Sequence, residues 1–355
     1  MTQSNEALQD QAVAIREGET LDTEALDRYL KAIIPDCQGK LQVSQFPGGA
    51  SNLTYLVAYD NHSFVLRRPP FGRIAKSAHD MLREAKIISA LKPVYPYVPK
   101  IIAQCDDHEI LGCDFFVMER LTGMIPRQDF PKALNLEPEQ TRRLCLQAID
   151  ALIELHQVDY EQAGLQHLGK GSGYMTRQIS GWCDRFEKAK TPDTQDFVEV
   201  MRWLKQEQPE DCKTCVIHND FRFDNIVFEA SEPYRIIGVL DWEMATLGDP
   251  LMDLGNSLAY WIQADDEPGM QMLRRQPTHV PGMLTRQEVV AYYLEKTGLA
   301  VNDFKFYEIY GLFRLAAIIQ QIYYRYYHKQ TQDQRFAGFG HAVNFLHQRC
   351  VQLLG

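Results

Sequence analysis

The segment from Val216 to Asp253, VIHNDFRFDNIVFEASEPYRIIGVLDWEMATLGDPLMD, constrains this chain more than any other. Two short apolar runs, Ile226–Phe228 and Ile236–Leu240, flank a polar turn holding Glu229, Ser231 and Pro233, the pattern of a β-hairpin. His218-x-Asp220-x-x-x-x-Asn225 precedes the first run, and Asp241 follows the second. The hairpin therefore carries Asp220, Asn225 and Asp241 towards one of its ends. Oxygen ligands gathered in this way suit Mg²⁺, which is usually held by one or two carboxylates together with substrate phosphates. A single surface Asp says nothing; the spacing with a hairpin between Asn225 and Asp241 carries the argument.

That spacing, with a carboxylate at the end of the second strand, is the one found in the catalytic and metal-binding segments of kinases. In the wording HNDFRFDN, LDWE and GDPLMDLG the chain resembles the aminoglycoside phosphotransferase and choline kinase-like family, over roughly residues 40 to 330. It is most similar to the kinase-like domains that accompany or are fused to acyl-CoA dehydrogenases. The resemblance implies an α+β, protein kinase-like fold in two lobes. Residues 1–122 would form a small antiparallel-sheet lobe ending in a hinge, and residues 123–355 a helical lobe carrying the catalytic hairpin. It further implies ATP and Mg²⁺ as cofactors, with Asp220 orienting or deprotonating the acceptor hydroxyl and Asn225 and Asp241 holding the metal. His218 and Asp253 would support the catalytic loop.

Upstream, Asp22–Ile34 reads as a helix, with Leu26, Leu30 and Ile33/Ile34 at helical spacing and Pro35 as its stop. Residues 1–20 are polar and acidic and are expected to be poorly ordered. Leu41–Phe46 and Leu53–Tyr59 read as strands about the turn Pro47–Asn52, where glycine lets backbone N–H groups approach phosphates. By resemblance Gly48, Gly49, Ser51 and Asn52 cover the ATP phosphates. Ser63–Arg67 is a third strand; it ends on Arg67 where better-known kinases carry Lys, keeping the charge but changing reach and geometry. Ser77–Leu91 is a helix whose apolar face, Met81, Ile88 and Leu91, also holds Glu84. A carboxylate there needs a partner. Arg67 is the natural one, since Arg83 and Lys86 project to other faces. Val98–Gln104 and Phe115–Met118 are two further strands, and FFVMERLTG is read as the hinge, with Glu119, Arg120 and Leu121 meeting the adenine.

The remainder reads as mainly helical. Thr141–His156 is a core-facing helix, and His156 is read as structural. Gly171-Ser172-Gly173-Tyr174 enters a helix carrying Arg177 and Trp182, read as a substrate or phosphate rim on resemblance to the dehydrogenase-associated members. Cys212-x-x-Cys215 lacks the second ligand pair that a structural zinc site needs. The acidic stretch Asp265–Glu267 opens a long loop containing Arg274 and Arg275, and Arg286–Lys296, Phe304–Gln321 and Gly340–Leu354 read as closing helices.

A net charge of −10 argues against nucleic acid as a partner. No apolar run approaches the roughly 18 residues of a membrane span, and the polar opening is unlike a signal peptide. With scattered cysteines this points to a cytoplasmic, reduced, soluble protein without a membrane partner. Protein kinase activity fits poorly: seven residues separate Asp241 from Asp249, and no Ala-Pro-Glu segment follows. The expected acceptor is a small-molecule alcohol. The resemblance implies a hydroxyacyl-CoA and a functional link to an acyl-CoA dehydrogenase, with Arg177, Arg274 and Arg275 meeting CoA phosphates. Aminoglycosides, amino alcohols and sugars are the alternatives, and a catalytically silent nucleotide-binding scaffold is the reading from another class.

Overall fold

The computed structural model describes residues 8–47, 52–72, 80–131, 133–231 and 233–355. Gly48, Gly49 and Ser51 lie outside them. Helix α1 (Thr23–Ile33) begins where the Asp22 side chain accepts from the Glu24 and Ala25 N–H groups, satisfying donors that a helix start leaves open. Strands β1 (Gln42–Gln45), β2 (Leu53–Ala58) and β3 (Ser63–Arg68) follow. Next come helix α2 (Met81–Leu91), β4 (Ile101–Cys105), the one-turn helix α3 (His108–Leu111) and β5 (Phe115–Glu119). The strands form one antiparallel sheet in the order β1-β2-β3-β5-β4.

Side chains alternate across a strand, and this sorts β3 into two faces. Phe64 and Leu66 join Leu26 and Leu30 of α1 in one apolar layer, whereas Val65 belongs to the core on the other face. Arg67, two residues on from Val65, faces the same way, towards the rest of the chain. The second core runs without a break from that face through α2 into the helical lobe.

In the amino-terminal leader, residues 8–20 depart from their expected disorder, while residues 1–7 lie outside the described residues. Val13 and Gln45 exchange two backbone hydrogen bonds of 2.8 and 2.9 Å, and Tyr55 Oη donates to the Glu19 carbonyl at 2.7 Å. The edge of β1 offers unpaired backbone groups. A polar segment can bind there through hydrogen bonds, with little apolar burial, so its composition concealed its order.

The helical lobe comprises α4 (Pro138–Gln157), α5 (Tyr174–Lys188), α6 (Val198–Gln206), β6 (Cys215–Ile217), β7 (Ile226–Phe228), β8 (Ile236–Val239) and β9 (Thr246–Gly248). It closes with α7 (Pro250–Leu258), α8 (Pro268–Met272), α9 (Arg286–Thr297), α10 (Lys305–Tyr327) and α11 (Phe339–Leu354). The β7–β8 hairpin has Ile226 opposite Val239. Sequence periodicity missed the antiparallel pair β6–β9, with Ile217 opposite Thr246, because three-residue strands are too short to show a period. That pair lashes the start of the loop 218–225 to the segment after Asp241. Near the lobe boundary, Met124 and Phe228 exchange backbone bonds of 2.7 and 2.8 Å. Among the described residues no helix is long and apolar enough to cross a membrane.

Helix α7, which presents Asp253, crosses α10 at a contact made by two glycines. A Cβ on Gly255 would strike the Tyr307 carbonyl, and one on Gly311 would strike the Gly255 carbonyl. Backbone atoms cannot swing aside as a side chain can. Gly311→Ala should therefore cost about 1–3 kcal/mol, read as a lower urea midpoint at unchanged slope.

Candidate active site

Arg67 is the hinge-pin of the cleft. Its Nη1 lies 2.9 Å from Glu84 Oε1 and its Nη2 lies 2.8 Å from Asp241 Oδ1. Glu84 is 1% exposed, so this pair supplies the partner that the carboxylate on the apolar face of α2 requires. The Trp242 N–H adds a 3.3 Å bond to the same oxygen. Burial pushes the Glu84 carboxyl up, Arg67 opposes that, and Asp241 and Glu243 reinforce it. Burial would also raise Asp241, but Arg67, His218 and Arg222 together hold it below the usual carboxylate range. Several acidic groups thus face one guanidinium. Arg67 Nε and Glu84 Oε2 are buried without a hydrogen-bond partner, a polar remainder that a further charged group would complete.

The loop 218–225 is held from behind by Asp253. Its Oδ2 accepts from His218 N at 2.8 Å and from His156 Nε2 at 3.1 Å, and its Oδ1 accepts from Asn219 N at 2.7 Å. Burial raises this carboxyl, and His156, His218 and their bonds bring it net below its ordinary value. His218 is braced in one tautomer. Its Nδ1 accepts from Asp220 N at 3.2 Å, so Nε2 carries the proton and donates to the Leu240 carbonyl at 3.0 Å. Asn219 sits at φ 65 and Asp241 at φ 69, left-handed conformations that Asn and Asp tolerate better than most residues. Asn219 is a hub that sequence reading passed over. Its Nδ2 donates to the Met244 carbonyl, its Oδ1 accepts from Tyr174 Oη and Asn256 Nδ2, and its carbonyl accepts from Arg314 Nη2.

At the front of the loop, Asn225 Nδ2 donates to the Asp220 carbonyl at 2.8 Å and to Asp220 Oδ2 at 3.1 Å. Those bonds orient the amide and leave its oxygen as the free acceptor. The Leu240 N–H donates to the Asn225 carbonyl at 2.8 Å, which places Asn225 beside Asp241. Arg222, also unassigned from sequence, lies 3.3 Å from Asp220 Oδ2 and 3.2 Å from Asp224 Oδ1, with its guanidinium over the Tyr260 ring. Asp241 and Asn225 line one cavity with Arg67, Leu121 and Gly123. An Asp–Asn oxygen pair fits Mg²⁺, which completes its shell with phosphate oxygens and water. Among the described residues no cluster of three or more His, Cys, Asp or Glu would hold a metal unaided.

Glu119, Arg120 and Leu121 also line this cavity, but not all of Glu119 is available to a ligand. Its carboxylate accepts from Lys100 N at 2.7 Å and Lys92 Nζ at 3.2 Å, and its N–H bonds the Lys100 carbonyl. Asn52 is buried and donates to Glu243 Oε2 at 2.6 Å, tying the end of the glycine turn to the segment after Asp241. Arg83 does not pair with Glu84; it donates to the Glu243 and Ala245 carbonyls at 3.1 and 2.5 Å. These links clamp residues 241–245 from the sheet side.

The expected rim at Arg177 and Trp182 needs correction. Neither residue lines the cleft cavity. Trp182 is 7% exposed, with the guanidiniums of Arg185 and Arg314 at 4.5 and 5.2 Å from its ring centroid. Arg177 folds back onto the Ser172 and Gly171 carbonyls. Helix starts attract anions, but here Asp211 already accepts from the Gly173, Tyr174 and Met175 N–H groups at 2.8–2.9 Å. The anion expected at this helix start is the protein's own carboxylate. Arg274 is likewise engaged, with Asp129 at 2.6 Å.

An antiparallel sheet over a helical lobe, with an acid–amide pair and a bridging arginine in the cleft between them, defines a kinase-like phosphotransferase architecture. The chain belongs to the phosphotransferase enzyme family (APH), whose model matches residues 42–288. It is 32% identical over 314 residues to acyl-CoA dehydrogenase family member 10 of Mus musculus, covering 88% of this chain and 29% of that protein. It is 30% identical to family member 11 of Homo sapiens, covering 92% of this chain and 42% of that one. The chain thus spans less than half the length of these relatives. Among solved structures, a Ralstonia eutropha protein provisionally assigned as an aminoglycoside phosphotransferase superposes with a TM-score of 0.80 and 26% identity, covering 94% of this chain and 98% of that one. Choline kinase from Cryptosporidium parvum shares the fold at a TM-score of 0.65 and 14% identity, covering 94% and 95% of the two chains.

Asp253 yields a test of the loop's support. Its folded-state pKa is depressed, so its contribution is present above the ordinary value of 3.8 and lost as pH falls through the folded value. Asp253→Asn should cost about 3 kcal/mol at neutral pH and flatten the acid limb of a stability-versus-pH curve from urea titrations.

Proposed function

We propose that this chain is an ATP- and Mg²⁺-dependent phosphotransferase acting on the hydroxyl of a small molecule, with a hydroxyacyl-CoA as acceptor. The observation that carries the reading is the joint placement of Asp241, Asn225 and Arg67 in one cavity with the hinge, while Asn225 also holds Asp220 Oδ2 at 3.1 Å. Family membership supports the same reaction class.

In this reading the hinge backbone takes the adenine and Arg67 the phosphates. Asn225 Oδ1 and Asp241 would hold Mg²⁺, which would supply charge neutralisation for the phosphates. Asp220 orients the acceptor hydroxyl and takes its proton. Arg222, whose charge burial disfavours but Asp220 and Asp224 sustain, lies 3.3 Å from Asp220 Oδ2, from where it would offset negative charge on the transferring group. Phosphoryl transfer is mostly positioning and electrostatics, and the Asp253–His218–Asn219 scaffold provides the positioning.

For the acceptor, the dehydrogenase names of the relatives support an acyl-CoA. The acidic stretch that a polycationic antibiotic would need is partly neutralised, because Asp266 makes two 2.6 Å bonds to Arg286. A product carrying phosphate in place of the hydroxyl has a better leaving group for later elimination, which gives sense to a functional link with an acyl-CoA dehydrogenase.

Mg²⁺-dependent ADP release with hydroxyacyl-CoAs, aminoglycosides, choline and sugars tests the proposal. The hydroxyacyl-CoAs should stimulate release. Asp220→Asn should lower kcat by about 10²- to 10⁴-fold with nucleotide affinity retained, and Asp241→Ala should weaken Mg²⁺-dependent ATP binding by about tenfold or more. Full turnover by Asp220→Asn would remove its assigned role, and release with aminoglycosides alone would replace the acceptor.

A further inference from the structure

The leader contributes more than a sixth strip along the sheet edge. Gln9 and Asp10 line the cleft cavity together with the hinge, Arg67 and Asp241. Two contacts place them there. The Asp10 N–H donates to the Gly123 carbonyl at 3.2 Å, closing the leader against the hinge. The Asp10 carboxylate, with 22% of the side chain exposed, accepts from Arg127 Nη2 at 2.8 Å, and Arg127 lines the same cavity. Well before β1 begins at Gln42, the chain has therefore supplied part of the wall of the cleft and a charged group on that wall.

We propose that residues 8–13 complete the nucleotide pocket and that Asp10, held by Arg127, receives the ribose hydroxyls of the bound nucleotide. The inference rests on the reading of the cleft as an ATP site. A nucleotide with its base at the hinge and its phosphates at Arg67 and Asp241 spans the cavity, and its sugar falls between those ends. Asp10 and Arg127 lie on the wall of that same space. A carboxylate accepts several hydrogen bonds on its two oxygens, so the single bond from Arg127 to Oδ1 leaves Oδ2 for a hydroxyl donor. Arg127 does a second thing. A bare carboxylate in the pocket would repel a polyphosphate, and the ion pair cancels that charge while keeping the acceptor. Asp224 lines the same cavity as Arg127; burial raises its carboxyl, while Arg222 and, more weakly, Arg127 lower it. Asp10 is thereby a specificity residue that Arg127 positions through their 2.8 Å ion pair.

Isothermal titration of the full chain with ADP and with 2′,3′-dideoxy-ADP reads the sugar contact without any acceptor. The intact protein should prefer ADP by about tenfold, the usual worth of a hydrogen bond to a charged group. Asp10→Ala should abolish that preference by weakening ADP alone, and unchanged dideoxy-ADP affinity shows that the pocket is still folded. Arg127→Gln, which leaves Asp10 present but unheld, should give an intermediate ratio. Retention of the full preference in Asp10→Ala, or its absence from the intact protein, overturns the inference while leaving the ATP reading in place. Failure of the intact protein to bind either nucleotide overturns both.

Discussion

One guanidinium shared between two carboxylates determines how the halves of this protein meet. Arg67 comes from the sheet, Glu84 from α2 and Asp241 from the end of the β7–β8 hairpin, and both contacts are shorter than 3 Å. A buried charge is costly unless it is paired, so each of the three elements is committed to the other two. Glu84 cannot be buried without Arg67. Arg67, with two acidic partners, draws Asp241 up to the sheet. The arrangement carries an excess of negative charge over positive.

Behind that cleft stands a second organising group, Asp253. A single carboxylate, wholly buried on α7, collects the backbone N–H groups of His218 and Asn219 and the ring of His156. Those two N–H groups would otherwise be unsatisfied in the interior, a cost the handed turn at Asn219 makes unavoidable without an acceptor. The glycine contact between α7 and α10 sets how close that acceptor comes. Support therefore passes from a helix crossing to a carboxylate, from the carboxylate to the loop, and from the loop to Asp220 and Asn225.

The same economy of groups explains why some plausible ligand sites are not open. The helix start at Gly173–Met175 has Asp211 on its N–H groups, Arg177 bonds the loop carbonyls before it, and Arg274 holds Asp129. Each looked available because a sequence records what a side chain can bind and not what already binds it. The reverse holds for the leader. Its composition promised little order, yet an open strand edge gave its backbone a place to bond and brought Asp10 to the cleft.

Local pattern was enough to determine the α+β order of elements, the β7–β8 hairpin and the clustering of Asp220, Asn225 and Asp241, because turns, periodicity and short spacings act over a few residues. The need of Glu84 for a cation was also legible, since a carboxylate among Met81, Ile88 and Leu91 has no local remedy. Only the tertiary structure decided that Arg67 would serve Asp241 as well, that Asn219 and Arg222 would join the loop, and that β6 would pair with β9. It likewise decided that Trp182 would turn into the core and that the leader would line the cleft. Those outcomes depend on hydrogen bonds and packing between residues far apart in the chain, where geometry selects one partner among many that are chemically adequate.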